Sequence, residues 1–141
     1  MSMEENRAAF RQVIAEGFNR GNFEVLPRVF NPDFVEHQFG LRPTIEGMKS
    51  DIQTLRNAFP DLRLTIDDMV AEGDRVWARM TARGTNRGGF MGPPNGKSFE
   101  IAVFDVVRFE DGKIVEHWGS PDRFAMMAQL GLLPVRQPTP A

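Results

Sequence analysis

Cysteine is missing from all 141 residues of the sequence, and tyrosine is missing as well. Without cysteine the protein has no disulfides, thiolate nucleophiles, iron–sulfur clusters or zinc sites that need sulfur ligands. Without tyrosine, no phenol can serve as a general acid or as an oxyanion donor. Histidine occurs only as His37 and His117, so few side chains are available for acid–base chemistry.

Long hydrophobic runs and blocks of like charge are also missing. No apolar run approaches the roughly 20 residues of a membrane-spanning helix, and the charged N-terminal segment does not resemble a signal peptide. The 17 basic and 19 acidic residues are mixed along the chain and give a formal net charge of −2. We therefore expect a cytoplasmic protein without a nucleic-acid or membrane partner.

The first 60 residues have mainly helical periodicity. Apolar residues spaced by three and four predict an amphipathic helix over 3–20 that ends at Gly21, and another helix over 45–59. Between them the sequence predicts a short helix over 24–30, ended by Asn31-Pro32, and a short strand over 34–39.

From residue 61 the apolar period changes to two, which predicts strands. One hairpin spans residues 62–87 with its turn at 72–74, and a second joins strands 99–109 and 113–119 through Asp111-Gly112. Ser120-Pro121 then predicts the N-cap and first position of a last helix, which ends at Gly131. Three prolines among residues 134–141 predict a mobile tail.

Helices followed by antiparallel strands are typical of the α+β class. We therefore predict a single domain over residues 1–133, in which the N-terminal helices pack on the concave face of a curved antiparallel sheet. A curved sheet covered by helices encloses a cavity, and polar side chains on the inner face of the strands point into it.

Asp105 is the main candidate. On strand 99–109 it shares one face with Ile101, Val103 and Val107, which places the carboxyl group among apolar neighbours. A buried carboxyl group has a raised pKa and could transfer protons. The structural alternative is that Asp105 only bonds a buried histidine or a backbone amide.

His117 is the candidate partner of Asp105. Pairing through the Asp111-Gly112 turn sets Asp105 opposite Trp118, with His117 and Gly119 beside it. Because the register is uncertain by about one residue, either face of the last strand could point inward. One choice brings His117 close enough for the carboxyl group to orient the imidazole; in the other, His117 is an ordinary core or interface residue.

We expect His37 to reach the same cavity from the preceding strand. The remaining predicted pocket residues are Phe18, Phe34, Met48, Phe59, Met80, Val103, Gly119 and Met127. No metal site is predicted, because the two histidines lack the spacing of a metal-binding motif.

The opposite sheet face carries Phe104, Val106 and Arg108, with Trp77 and Arg79 on the neighbouring strand. Exposed aromatic residues and arginine together predict a homodimer or larger homo-oligomer through this outer face. The alternative is a mixed, solvated surface.

Three segments carry a family resemblance: FPDLRLTIDDMVAEGDRVWARMTARGT, GGFMGPPNGKSFE and FDVVRFEDGKIVEHWGSPDRFAMMAQLG. Together they resemble the SnoaL-like polyketide cyclases over about residues 5 to 133. The resemblance implies the cone-shaped, nuclear-transport-factor-like α+β fold shared with ketosteroid isomerase, scytalone dehydratase and limonene epoxide hydrolase. It also implies cofactor-independent ring closure by intramolecular aldol condensation, with an aspartate and a nearby histidine in the pocket.

This sequence departs from the pattern that the resemblance implies. The aspartate of the family falls at Gly119 and its pocket histidine falls at Asp105, while His117 matches a position that is histidine in related cyclases. We therefore expect Asp105 to be the general base and His117 its partner.

The expected function is that of a cyclase, isomerase or lyase acting on an apolar, ketone-bearing substrate without a cofactor. Two alternatives remain. One is a non-catalytic ligand-binding or oligomerising domain that has lost its chemistry at Gly119, and the other is a hydrolase in which Asp105 activates water.

Overall fold

The computed structural model describes residues 2–134. The elements in chain order are α1 (Met3–Gln12), a π-helical segment (Val13–Phe18), α2 (Val25–Val29), β1 (Phe30–Glu36), α3 (Ile45–Ala58), β2 (Arg63–Glu72), β3 (Arg75–Thr85), β4 (Ser98–Glu110), β5 (Lys113–Pro121) and α4 (Arg123–Gln129). Of the predicted tail 134–141, all but Pro134 lies outside the described residues.

The five strands form one curved, unclosed sheet in the order β1-β5-β4-β3-β2. The predicted α+β class, with N-terminal helices against a curved sheet, is confirmed. The sheet is mixed rather than wholly antiparallel, because β1 pairs parallel to β5. Between β1 and β2 the chain passes through α3, and the two strands lie at opposite edges of the sheet. At its own edge β1 pairs with the last strand, β5. An edge position also accommodates Pro32, which has no N–H to donate.

The first helical segment is one continuous stretch with two geometries. Ser2 caps α1 by accepting a hydrogen bond from the backbone of Glu5, whose side chain accepts from Ser2 in return. After Gln12 the helix widens into the π-helical segment, where the N–H of Asn19 donates to the carbonyl of Ile14. The whole stretch buries Phe10 and Ile14 against the sheet, as the apolar periodicity predicts.

The hairpin of β4 and β5 contains a β-bulge that the predicted register lacks. Phe109 pairs with Ile114, but the next pair is Arg108 with Glu116, so Val115 is an extra residue in β5. Beyond the bulge the register moves by one residue. Asp105 therefore lies opposite Gly119 and not opposite Trp118, which corrects the predicted pairing.

The last helix begins later than predicted. Ser120 and Pro121 still belong to β5, where they pair with Phe104 and Val103. The N-cap of α4 is Asp122, whose side chain accepts a hydrogen bond from the N–H of Ala125. Strand β5 is thus two residues longer than predicted, and the helix begins later by the same segment.

The outer sheet face is partly apolar and partly charged. Trp77 and Phe104 are about half exposed, and Arg79 forms an ion pair with Asp68 beside them. The predicted oligomer through this face stays a prediction. Among the described residues, no helix is long and apolar enough to cross a membrane.

Candidate active site

A cavity of about 160 Å³ lies between the helices and the inner sheet face. Most of its wall is apolar, with contributions from Phe10, Ile14, Leu55 and Ile101. Six polar residues also line it: Glu36, Gln38, Asp51, Asp105, His117 and Arg123. A mainly apolar cavity with a few convergent polar groups is typical of a small-molecule site.

His117 stands between two carboxyl groups at one end of this cavity. Its Nδ1 lies 2.5 Å from Oε1 of Glu36, and its Nε2 lies 3.5 Å from Oδ2 of Asp105. Three adjacent strands supply these residues: β1 carries Glu36, β5 carries His117 and β4 carries Asp105. Glu36 is the direct partner of His117 in the β1–β5 ladder.

The bulge in β5 directs His117 inward. Ile114 and His117 are three residues apart and both buried, which strict alternation along a strand would not allow. The extra residue, Val115, absorbs the difference, and His117 pairs with the inward-facing Val107. The geometry of the site therefore depends on this local irregularity.

The two carboxyl groups control the charge of His117. Burial alone lowers the pKa of the imidazole, but contacts with Asp105 and Glu36 outweigh burial and raise its pKa to about 9. At neutral pH His117 is therefore an imidazolium held between two carboxyl groups.

The second oxygen of Asp105 is the unsatisfied atom of the site. Oδ1 is fully buried and has no hydrogen-bond partner among the described residues, although the residue lines the cavity. A buried acceptor without a partner is energetically costly. A hydrogen-bond donor that reached Oδ1 would remove that cost, although it would first have to displace the side chains that cover this atom.

Gly119 lies beside this oxygen without itself lining the cavity. A Cβ atom at residue 119 would stand 2.8 Å from Asp105 Oδ1 and would collide with Oε1 of Gln38. The missing side chain therefore leaves room for the carboxamide of Gln38, which lines the cavity.

Glu36 and Gln38 are the site residues that the sequence reasoning missed. A signal for them was present in the alternation of β1, where Phe34 is buried and Val35 is exposed. Continuing that alternation directs Glu36 and Gln38 inward and His37 outward.

His37 accordingly lies on the outer face, which corrects the prediction that it reaches the cavity. Its Nε2 is 2.7 Å from Oε2 of Glu116, and its ring stacks on Trp118 with centroids 4.8 Å apart. The two histidines of the chain are therefore on opposite sides of the sheet.

The other predicted pocket residues divide into two groups. Phe18, Met48 and Val103 line the cavity together with Asp105 and His117. Four residues that the sequence predicts in the pocket lie outside the cavity lining instead: Phe34, Phe59, Met80 and Met127.

The first three of these are almost completely buried in the core, because neighbouring side chains fill the space around them. In α4 it is Met126, the preceding residue, that reaches the cavity. Within residues 2–134, no three histidine or acidic side chains are arranged to hold a metal ion.

These features define a class: an α+β fold whose curved sheet and helices enclose an apolar cavity with a buried carboxyl–imidazole–carboxyl array. The sequence profile of the SnoaL-like polyketide cyclases matches residues 8–130. The chain therefore belongs to the SnoaL-like polyketide cyclase family, and this membership supports a function of the cyclase or isomerase type.

Individual relatives agree with this assignment. Aklanonic acid methyl ester cyclase DauD of Streptomyces sp. (strain C5) is 27% identical over 126 residues, covering 84% of this chain and 77% of DauD. The structure of TsrD from Streptomyces laurentii is 30% identical with a TM-score of 0.85, covering 94% of this chain and 99% of TsrD. IdmH from Streptomyces antibioticus is 36% identical with a TM-score of 0.80, covering 89% and 98% of the two chains.

Proposed function

We propose that this protein catalyses ring closure of an apolar, ketone-bearing substrate by enolisation and intramolecular aldol addition, without a cofactor. The observation that carries the proposal is that Asp105 lines a mainly apolar cavity and has a buried Oδ1 without a hydrogen-bond partner within residues 2–134. The family supports the reaction type, and DauD is by name a cyclase of a methyl ester.

In the proposed reaction Asp105 acts first as a base and then as an acid. Its Oδ1 takes a proton from the carbon next to a ketone, and the electrons of the broken C–H bond form an enolate. The enolate carbon attacks a second carbonyl group of the same molecule and forms a C–C bond. The resulting alkoxide takes the proton back from Asp105, so the product has the same mass as the substrate.

His117 is a positioning residue in this mechanism. Its Nε2 lies beside the other oxygen, Oδ2 of Asp105, at 3.5 Å, which leaves Oδ1 for the substrate. Glu36 in turn holds Nδ1 of His117 and so orients the ring. An oriented, charged ring next to a carboxyl group is a common arrangement in acid–base sites.

The size of the cavity bears on how a substrate binds. A protein cavity of about 150 Å³ accommodates benzene, and the cavity found here is about 160 Å³. We infer that the reacting ring or chain segment enters the cavity, while the rest of a larger substrate lies at the mouth near Leu41 and Arg123, which line it.

The test is turnover of linear and monocyclic polyketone substrates, with no cofactor added, followed by mass spectrometry and NMR. We expect a cyclised product of unchanged mass, or one lighter by a water molecule where dehydration follows. Asp105→Asn should lower the rate by about a hundredfold or more, as removal of a general base does. The matched control is Asp33→Asn, because Asp33 is an exposed aspartate outside the cavity.

The alternatives make different predictions in the same experiment. A ligand-binding domain would bind the ketones without converting them. A hydrolase would give products that have gained the elements of water. Undiminished cyclisation by Asp105→Asn would contradict the proposed role of this residue.

A further inference from the structure

Gln38 is held firmly to the acid–base array although it lies just beyond the end of β1. Oε1 of Glu36 accepts a hydrogen bond from the backbone N–H of Gln38 at 2.9 Å, and the same oxygen contacts Nδ1 of His117. The backbone of the preceding residue is also fixed, because the N–H of His37 donates to the carbonyl of His117 at 2.9 Å. Gln38 is therefore anchored to the same group that orients the imidazolium.

The side chain of Gln38 extends over Gly119 toward Asp105. Oε1 of Gln38 and Oδ1 of Asp105 are each closer than 3.0 Å to the point where a Cβ of residue 119 would stand. Oδ1 has no hydrogen-bond partner among the described residues, and the half-buried Gln38 side chain lines the cavity next to it. An unsatisfied carboxyl oxygen and a carboxamide group thus lie next to each other in the wall of a mainly apolar cavity.

The chemistry of these two groups is complementary once the amide turns. A rotation about the last torsion of Gln38 exchanges the positions of its oxygen and its NH₂ group. The NH₂ group then faces the volume beside Oδ1, so an N–H donor and a carboxylate acceptor lie next to each other. Such a pair assists enolisation of a carbonyl group, because the acceptor takes the adjacent C–H proton and the donor stabilises the negative charge that forms on the oxygen.

We propose that the Gln38 carboxamide is the oxyanion donor of the site and that Gly119 exists to make room for it. This inference rests on the proposed function, because it assigns the group that stabilises the enolate formed by Asp105. The proton leaves the substrate carbon for Oδ1 of Asp105, and the electron pair moves onto the carbonyl oxygen. The N–H of Gln38 donates a hydrogen bond to that oxygen and keeps its own proton.

The test uses phenol and toluene, two ligands of one ring that differ in a hydroxyl group. The phenol hydroxyl can donate to Asp105 Oδ1 and accept from Gln38, whereas toluene can do neither. Affinities for the full-length wild-type protein, Gln38→Met and Gly119→Ala are measured by titration calorimetry. Gln12→Met is the control, because Gln12 is an exposed glutamine away from the cavity.

We expect Gln38→Met to weaken phenol binding relative to toluene by roughly fivefold to tenfold, the effect of losing one neutral hydrogen bond. Gly119→Ala should have the same effect, because its Cβ would occupy the space of the Gln38 oxygen. If Gly119→Ala does not fold, Gln38→Met still decides the result.

An unchanged phenol-to-toluene ratio in Gln38→Met would overturn the role of Gln38. Because binding is measured without turnover, these results leave the proposed function standing if Asp105→Asn still abolishes cyclisation. If the ratio falls but Asp105→Asn cyclises normally, the proposed function fails, and with it the oxyanion role.

Discussion

Gly119 pairs directly with Asp105 across β5 and β4, and the absence of a side chain at 119 leaves room for the Gln38 carboxamide beside Oδ1 of Asp105. The other oxygen faces the imidazolium of His117. Asp105 therefore has one oxygen beside the imidazolium and one buried oxygen without a hydrogen-bond partner among the described residues, and the second is the one proposed to accept the substrate proton.

The first prediction concerns the protonation of His117. Its pKa of about 9 depends on contacts with Asp105 and Glu36 that outweigh the effect of burial. Replacing either carboxyl group, by Asp105→Asn or by Glu36→Gln, should lower this pKa. The measurement is a ¹⁵N NMR titration of the imidazole, with the second histidine assigned through His37→Gln.

A His117 ring that is neutral at pH 7.5 in the wild-type protein would contradict this account of the array. A pKa that stays the same in both variants would also contradict it. Either result would mean that the carboxyl groups do not determine the charge of the ring.

The second prediction is that the protein loses stability in alkaline solution. Because the pKa of His117 is raised from 6.5 to about 9 in the folded state, its contribution is fully present below pH 6.5 and is lost as the pH rises through 9. The free energy of unfolding should fall by at most an amount on the order of 3 kcal/mol over that interval. Urea unfolding at pH 6, 8 and 10 measures it.

The control for this experiment is the other histidine. His37→Gln should retain the loss of stability between pH 6.5 and 9, because His37 is on the outer face, whereas His117→Gln should remove most of it. Equal pH dependence in wild type and His117→Gln would mean that another group is responsible.

Much of the fold could be predicted because each main element has a clear period. Helical spacing in α1 and α3, alternation in β3 and β4, and the glycine-containing turns all agree with one arrangement. The assignment of Asp105 to the inner face follows from this alternation alone, since valines lie two residues away on each side.

What could not be predicted depends on interactions distant in sequence. Ile114 and Val115 are both apolar, so alternation does not show which of them is the bulged residue. The parallel pairing of β1 follows from its position beside β5, which no local pattern encodes. The outer position of His37, by contrast, is encoded locally, in the alternation of its own short strand.

The third prediction concerns assembly. The outer face exposes Trp77 and Phe104 beside the ion pair of Arg79 and Asp68, and a face with apolar groups and both charges can pair with a second copy of itself. We expect a dimer or larger homo-oligomer that Trp77→Lys dissociates, measured by sedimentation velocity. Phe124→Lys is the control, since Phe124 is an exposed aromatic residue on α4 and outside the sheet. A monomeric wild-type protein at micromolar concentration would contradict this expectation.

The most direct test of the central claim is the exchange of ketone α-protons in D₂O, followed by ¹H NMR with a one-ring ketone such as cyclohexanone. This measures enolisation without requiring the natural substrate. If Asp105 is the base, the wild-type protein accelerates exchange and Asp105→Asn lowers the enzymatic rate by about a hundredfold or more, while Asp33→Asn behaves as wild type. Wild-type acceleration that survives unchanged in Asp105→Asn would show that the buried carboxyl group is not the base.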